Sequence, residues 1–176
     1  MADIIIALYD NEYILIALVI CIPLILFIIS DIKTKKQTKK RKQMVVDKVK
    51  DLANGAIEMT PQEFLTLRAE TRGNAYSGQG IMKLNEITGI YILFNKTKNK
   101  YYVGQGVKVM DRVNNHFTGK GNGDVYADYK YGDEFTIKMI SLRDSGYNTL
   151  NALERDAIET YGAYANGYNK TRGNSD

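Results

Sequence analysis

The chain has 176 residues, room for one ordinary domain and an appendage, and its one cysteine, Cys21, excludes an intrachain disulfide framework and a cysteine-based zinc site. A single thiol is compatible with a reducing compartment. The formal net charge of +4 is unevenly spread: residues 33–50 hold nine Lys or Arg and one Asp, a net of +8, so the other residues sum to −4 and overall basicity is no argument for nucleic-acid binding by the rest of the chain.

Tyr13 to Ile29 is an uncharged run of seventeen residues. As a helix it is about 25 Å long, the short end of what crosses a bilayer core. It is apolar on every face, which favours a transmembrane helix at about residues 13–30 over a buried core helix, with Pro23 marking a kink. Asp3, Asp10 and Glu12 precede it with no Lys or Arg, the wrong sign for a cleaved signal peptide. Lys33, Lys35, Lys36, Lys39, Lys40, Arg41 and Lys42 follow at once. The positive-inside rule then predicts a single-pass cell-membrane protein, N-terminus outside and C-terminal part cytoplasmic. The Lys33–Lys42 tract serves as topogenic signal; anionic headgroups and DNA phosphates are its further candidate partners.

Val45, Val46, Val49, Leu52 and Ala53 have rough helical spacing, and Asn54-Gly55 makes a stop, so this stretch is expected to be a stalk. Thr60-Pro61-Gln62-Glu63 is a helix start with a capping box, predicting a helix to about Arg72. Gly73 to Gly80 is expected to be loop. This gives three regions: a membrane segment at 1–32, a basic tract and helical linker at 33–87, and a domain at 88–172.

In that domain, Ile90, Ile92 and Phe94 alternate with Tyr91 and Leu93, the pattern of a half-buried strand. The turn-like stretch Asn95–Asn99 and the run Tyr101-Tyr102-Val103 complete a hairpin. Tyr91 and Tyr102 sit near matching levels, and Gly89 and Gly104 are expected to leave backbone exposed beside them. A helix is predicted over Val107–Phe117, with Val109, Met110, Val113 and Phe117 on its apolar face and Arg112 and His116 one turn apart on another. Lys120 to Asp133 is expected to be connection, Phe135–Ile140 a third strand, and a last helix begins at Asn148 or Thr149 and ends at Tyr161-Gly162, with Glu154 beside its apolar face. By themselves these residues have ordinary explanations: tyrosine in a strand is usually packing, an arginine on a helix is usually solvated, and a lone histidine is more often structural than catalytic.

Taken in order, Gly89-Ile90-Tyr91, Tyr102-Val103-Gly104, Arg112 with His116, Glu154 and Gly167-Tyr168-Asn169 resemble the GIY-YIG nuclease family, with Val for the middle Ile of the second tripeptide. The resemblance covers about residues 88–171. It implies an α/β fold with a small three-stranded antiparallel sheet flanked by helices, and metal-dependent hydrolysis of DNA phosphodiesters. On that resemblance, Glu154 holds a divalent cation (Mg2+ or Mn2+), Arg112 contacts the scissile phosphate, Tyr91 is a candidate base, Tyr102 positions the water, and His116 moves a proton or holds the phosphate. Asn169 ties the last segment to the site. Gly89, Gly104, Arg112 and Lys120 are candidate nucleic-acid contacts. Two departures stand out: His116 is the only histidine, so Lys120 or a loop tyrosine takes the place of a second one found in some members, and Gln105 stands where small hydroxyl residues are common. The chain has no helix-turn-helix or zinc-finger pattern, so low sequence specificity is expected. The combined expectation is a membrane-anchored endonuclease acting on DNA entering the cell. The alternatives are a catalytically weak DNA tether or membrane adaptor, and an inverted surface nuclease.

Overall fold

The computed structural model describes residues 2–76 and 87–174, and the side chains from residue 22 onward except those of 71–76. The chain divides into two compact units, Met1–Met44 and Val45–Asp176.

The first unit lies within helix α1 (Ala2–Gly55). Its described apolar side chains, Ile22 and Leu24 to Ile29, are exposed, and Asp31 pairs with Lys35 one turn on at 2.7 Å. Among the described residues no helix is long and apolar enough to cross a membrane. The side chains of residues 13–21, the first half of the expected span, lie outside those described. The membrane anchor, its orientation and the lipid contacts at Lys33–Lys42 therefore find no support in the structure.

The second unit begins with the last turns of α1. These are not a stalk: Val49 and Ala53 are buried in a core with Ile90, Ile92, Val103, Leu153 and Ala157. After α1 come strand β1 (Glu58–Met59) and helix α2 (Pro61–Tyr76). The capping box at the start of α2 forms as its sequence dictates. The Thr60 N–H donates to Glu63 Oε2 at 2.7 Å, and the Glu63 N–H donates back to Thr60 Oγ1 at 3.2 Å. The helix runs four residues past Arg72, so Gly73–Tyr76 is helical rather than loop. The rest of the expected loop, residues 77–80, lies outside the described residues.

Strands β2 (Gly89–Asn95) and β3 (Lys100–Gly106) form the expected hairpin, and β4 (Phe135–Ser141) pairs with the other side of β2. Among the described residues the sheet has four antiparallel strands, not three, in the order β1-β4-β2-β3. The fourth is β1, whose two residues pair with Lys138 and Ile137 of β4. A two-residue strand is too short to show a period, which is why the sequence pattern passes over it. Central strand β2 is buried on both faces, with only Phe94 partly exposed. Its alternation sorts side chains between two layers rather than between core and water. Tyr91 and Leu93 face α2, helix α3 (Val109–Phe117) and helix α4 (Gly123–Lys130), while Ile90 and Ile92 face the end of α1 and helix α5 (Leu150–Thr160). The continuous apolar run of β2 is what such double burial requires.

Helix α4 occupies most of the stretch expected to be connection. Asn122 caps it, its side-chain oxygen accepting from the N–H groups of Asp124 and Val125. α5 starts at its Thr149 cap, whose hydroxyl accepts from the Ala152 N–H at 3.2 Å.

Candidate active site

The hairpin register places Tyr91 opposite Gly104 and Leu93 opposite Tyr102. Tyr91 and Tyr102 are thus diagonal neighbours on one face, two residue pairs out of level, with ring centroids 6.1 Å apart. Both motif glycines are buried, so the expected exposed backbone is not seen at either. Gly104 is a packing requirement: a Cβ there would overlap the Tyr91 hydroxyl and ring. Gly89 lies against the Ile140 carbonyl in the same close way.

His116, on the inner side of α3, is 3% exposed, and its Nε2 lies 2.9 Å from the Tyr91 hydroxyl. Its Nδ1 accepts from the Asn122 backbone N–H at 3.0 Å. A backbone amide only donates, so Nδ1 carries no proton. Burial, with the nearby Arg112 charge, pushes the His116 pKa down to about 4. The ring is therefore neutral near pH 7, its proton sits on Nε2, and it donates to the Tyr91 oxygen. Gly121 permits this: a Cβ there would stand 2.7 Å from Nδ1 and crowd the ring.

Arg112 lies on the exposed side of α3. Burial pushes the Tyr91 phenol well above its ordinary value, and Arg112 pulls against that rise. Tyr102 is raised by burial and drawn down by its hydrogen bond with Tyr91 and by Arg112. A cavity of about 320 Å³ opens beside them, lined by Tyr102, Arg112, Asn115, His116, Lys120 and Asn122. The structure thus brings Tyr91, Tyr102, Arg112, His116 and Lys120 to one place, with two cationic side chains at the opening.

Glu154 is 8% exposed on α5. Burial raises its pKa, opposed by the Asn174 backbone N–H, by Gln105 and by Arg112. Gln105 Nε2 donates both to Glu154 Oε2 at 2.9 Å and to Asn151 Oδ1 at 2.8 Å. Among the described residues no group of three or more His, Cys, Asp or Glu is placed to hold a metal. The donor chemistry at Glu154 still fits a hard divalent cation: one carboxylate, with the Asn151 amide oxygen close by. Mg2+ often takes only one or two carboxylates, with waters and phosphate oxygens filling its shell.

Asn169 does not line the cavity. Its Oδ1 accepts from the Val103 N–H at 2.8 Å and its Nδ2 donates to the Val103 carbonyl at 2.7 Å. With the Tyr168 N–H donating to the Tyr101 carbonyl at 2.9 Å, this closes the outer edge of β3. Asn169 holds the strand that carries Tyr102. Sequence reasoning missed Asn115, Asn151 and the grip of Asn122 on His116. The signal for Asn122 was present, since Asn before Gly-Asp is a helix cap.

Two expectations follow. The Asn169→Asp variant keeps the acceptor for the Val103 N–H but loses the donor to its carbonyl, and should be about 1–3 kcal/mol less stable in urea unfolding. His116 ties stability to pH. Its folded pKa is depressed, so between pH 6.5 and about 4 the unfolded chain binds a proton that the folded chain refuses. Stability should be unaffected by this group above pH 6.5 and should fall as the pH drops through that window. The melting temperature of His116→Gln should fall less steeply over the same range; parallel profiles would contradict a neutral, buried His116.

No curated protein and no solved structure matches the chain. Residues 87–169 match the family model described as the GIY-YIG catalytic domain. That segment holds the tyrosine pair, Arg112, His116 and Glu154, and its family is one of nucleases, whose substrate is DNA. Residues 87–169, just under half of the chain, are thus similar to the GIY-YIG catalytic domain of that nuclease family.

Proposed function

We propose that this chain is a divalent-metal-dependent DNA endonuclease of low sequence specificity, with its reaction centre between β2, β3, α3 and α5. The observation that carries the reading is geometric: Arg112 and Lys120 line one cavity with Tyr102 and His116, and His116 Nε2 lies 2.9 Å from the Tyr91 hydroxyl. Two cationic side chains beside a tyrosine and a histidine in one open cavity suit a phosphodiester.

In this reading the Arg112 guanidinium meets two phosphoryl oxygens of the scissile phosphate. Lys120, at the cavity wall, meets a phosphate oxygen of the same backbone. Neither contact reads a base, which supports low specificity. Tyr91 is the proton acceptor for the attacking water. A free phenol is a poor base at pH 7, and burial makes it poorer. Taking that proton requires the Tyr91 phenolate, which burial disfavours; Arg112 and the Nε2–H of His116 offset part of that cost. His116 thus holds Tyr91 rather than the phosphate, and it is a positioning residue. Tyr102 orients the water from the neighbouring strand. Glu154 would hold the cation, which when bound supplies charge neutralisation on the phosphoryl oxygens. Gln105, which also donates to Asn151, orients that carboxylate.

The test is incubation of the full chain with supercoiled plasmid, in magnesium and in excess chelator. Nicked or linear product in magnesium alone is expected. A folded protein that binds the plasmid without converting it in magnesium or manganese would point instead to a DNA tether built on this fold.

A further inference from the structure

We propose that a cavity on the outer side of α5 is a second nucleic-acid subsite, which takes one unpaired nucleotide flanking the scissile phosphate. The proposal deepens the nuclease reading and rests on it. The cavity measures about 320 Å³ and is separate from the one beside His116. That is near the low end of ligand pockets, roughly 300 Å³, and suits a nucleotide rather than a turn of duplex.

Its walls supply what an unpaired nucleotide needs. Tyr164 is 44% exposed, and the Arg172 guanidinium lies 5.3 Å from its ring centroid. Ile158 and Ala165 add apolar surface, and Arg155 adds a second guanidinium. An exposed aromatic ring beside guanidinium groups is the combination that holds single strands, with the base on the ring and the phosphate on the cation. Glu159 also lines the cavity and would repel a phosphate set against it. It therefore directs the phosphate toward Arg172.

The cavity is joined to the reaction centre by the chain itself. Arg155 directly follows Glu154 on α5. Arg172 is two residues from Asn174, whose backbone hydrogen-bonds to the Glu154 carboxylate. Gly173 between them runs close along the helix, where a Cβ would stand 3.4 Å from Arg155 and from Ile158. A strand crossing the reaction centre along α5 thus finds its next aromatic and cationic contacts at Tyr164 and Arg172. Duplex DNA holds its bases in the stack and offers none to the ring; an overhang, flap or frayed end does.

The experiment uses the full chain in chelator, so that binding is read without cleavage. Fluorescence anisotropy compares a blunt duplex with the same duplex bearing a short single-stranded cytosine tail. The wild-type protein should bind the tailed probe about tenfold more tightly, the worth of stacking one base. Tyr164→Ala and Arg172→Gln should each lose that preference while binding the blunt duplex as before, and Tyr164→Phe should keep it. Melting temperatures within a degree or two of wild type would show that the variants fold. Wild-type binding to both probes with no preference for the tail would overturn the subsite alone, as would variants that retain the full preference. Binding to neither probe would overturn the nuclease reading and the subsite with it.

Discussion

Arg112→Ala should cleave DNA about 10²–10³ times more slowly than the wild-type protein, the usual cost of removing one preorganised charge stabiliser. Arg112 acts on its neighbours as well as on the substrate. It opposes the rise that burial imposes on Tyr91, so its loss makes the phenolate harder to form as well as leaving the phosphate without its cation. Both effects fall on the transition state, so kcat should fall more than KM rises. Arg112→Lys restores a charge but not the planar, two-pronged contact, and should recover only part of the rate. The residue is exposed on α3, so neither variant should melt more than a few degrees away from wild type. Single-turnover cleavage of a labelled duplex checks this. A wild-type rate in Arg112→Ala would remove Arg112 from the chemistry.

Glu154→Gln should lose at least about a hundredfold in magnesium-dependent rate, because a cation's contribution of several kcal/mol corresponds to more than two factors of ten. The substitution preserves size and burial and removes only the charge. Burial disfavours that charge in the folded chain, as the raised pKa of Glu154 shows. The neutral variant should therefore be at least as stable as the wild type while being inactive. A buried carboxylate kept at a cost to stability is the mark of a residue retained for function. Calorimetric titration with Mn2+ gives a readout independent of turnover: binding should weaken sharply in Glu154→Gln. Unchanged Mn2+ binding would place the cation elsewhere, and a marked loss of stability would assign Glu154 to the scaffold.

The parts of this fold that were legible in the sequence are those set by local pattern. The hairpin reads from alternation and a polar turn, α2 from its capping box, α5 from Thr149 and its apolar spacing. What was not legible depends on partners far along the chain. Two residues cannot announce a strand, so β1 exists only because β4 offers it an edge. The Val45–Ala53 stretch reads as a helix in any context, and only the packing of Val49 and Ala53 against β2 and α5 makes it core. α4 was hidden by a glycine- and tyrosine-rich composition poor in helix formers. The apolar run at Tyr13–Ile29 was read by length and composition alone, and the structure lends its membrane reading no support.

The site shows the same division. Tyr91, Tyr102, Arg112 and His116 were singled out by motif order, and the fold brings them together. Asn169 was found as well, but its work is on the Val103 backbone rather than in the cavity. Which way His116 carries its proton could not be read from sequence, because it follows from the Asn122 amide six residues on. Gln105 stood out as a departure, and the structure gives it a place: one amide donating to both Glu154 and Asn151.

The most direct test of the central claim is a plasmid-cleavage time course with wild type, Arg112→Ala and Glu154→Gln purified side by side, at equal concentration and in magnesium. The account predicts that supercoiled plasmid is converted to nicked or linear product by the wild type and persists with both variants. Conversion at the same rate by all three would contradict it, since the constellation around Tyr91, Arg112 and Glu154 would then not be where DNA is cut.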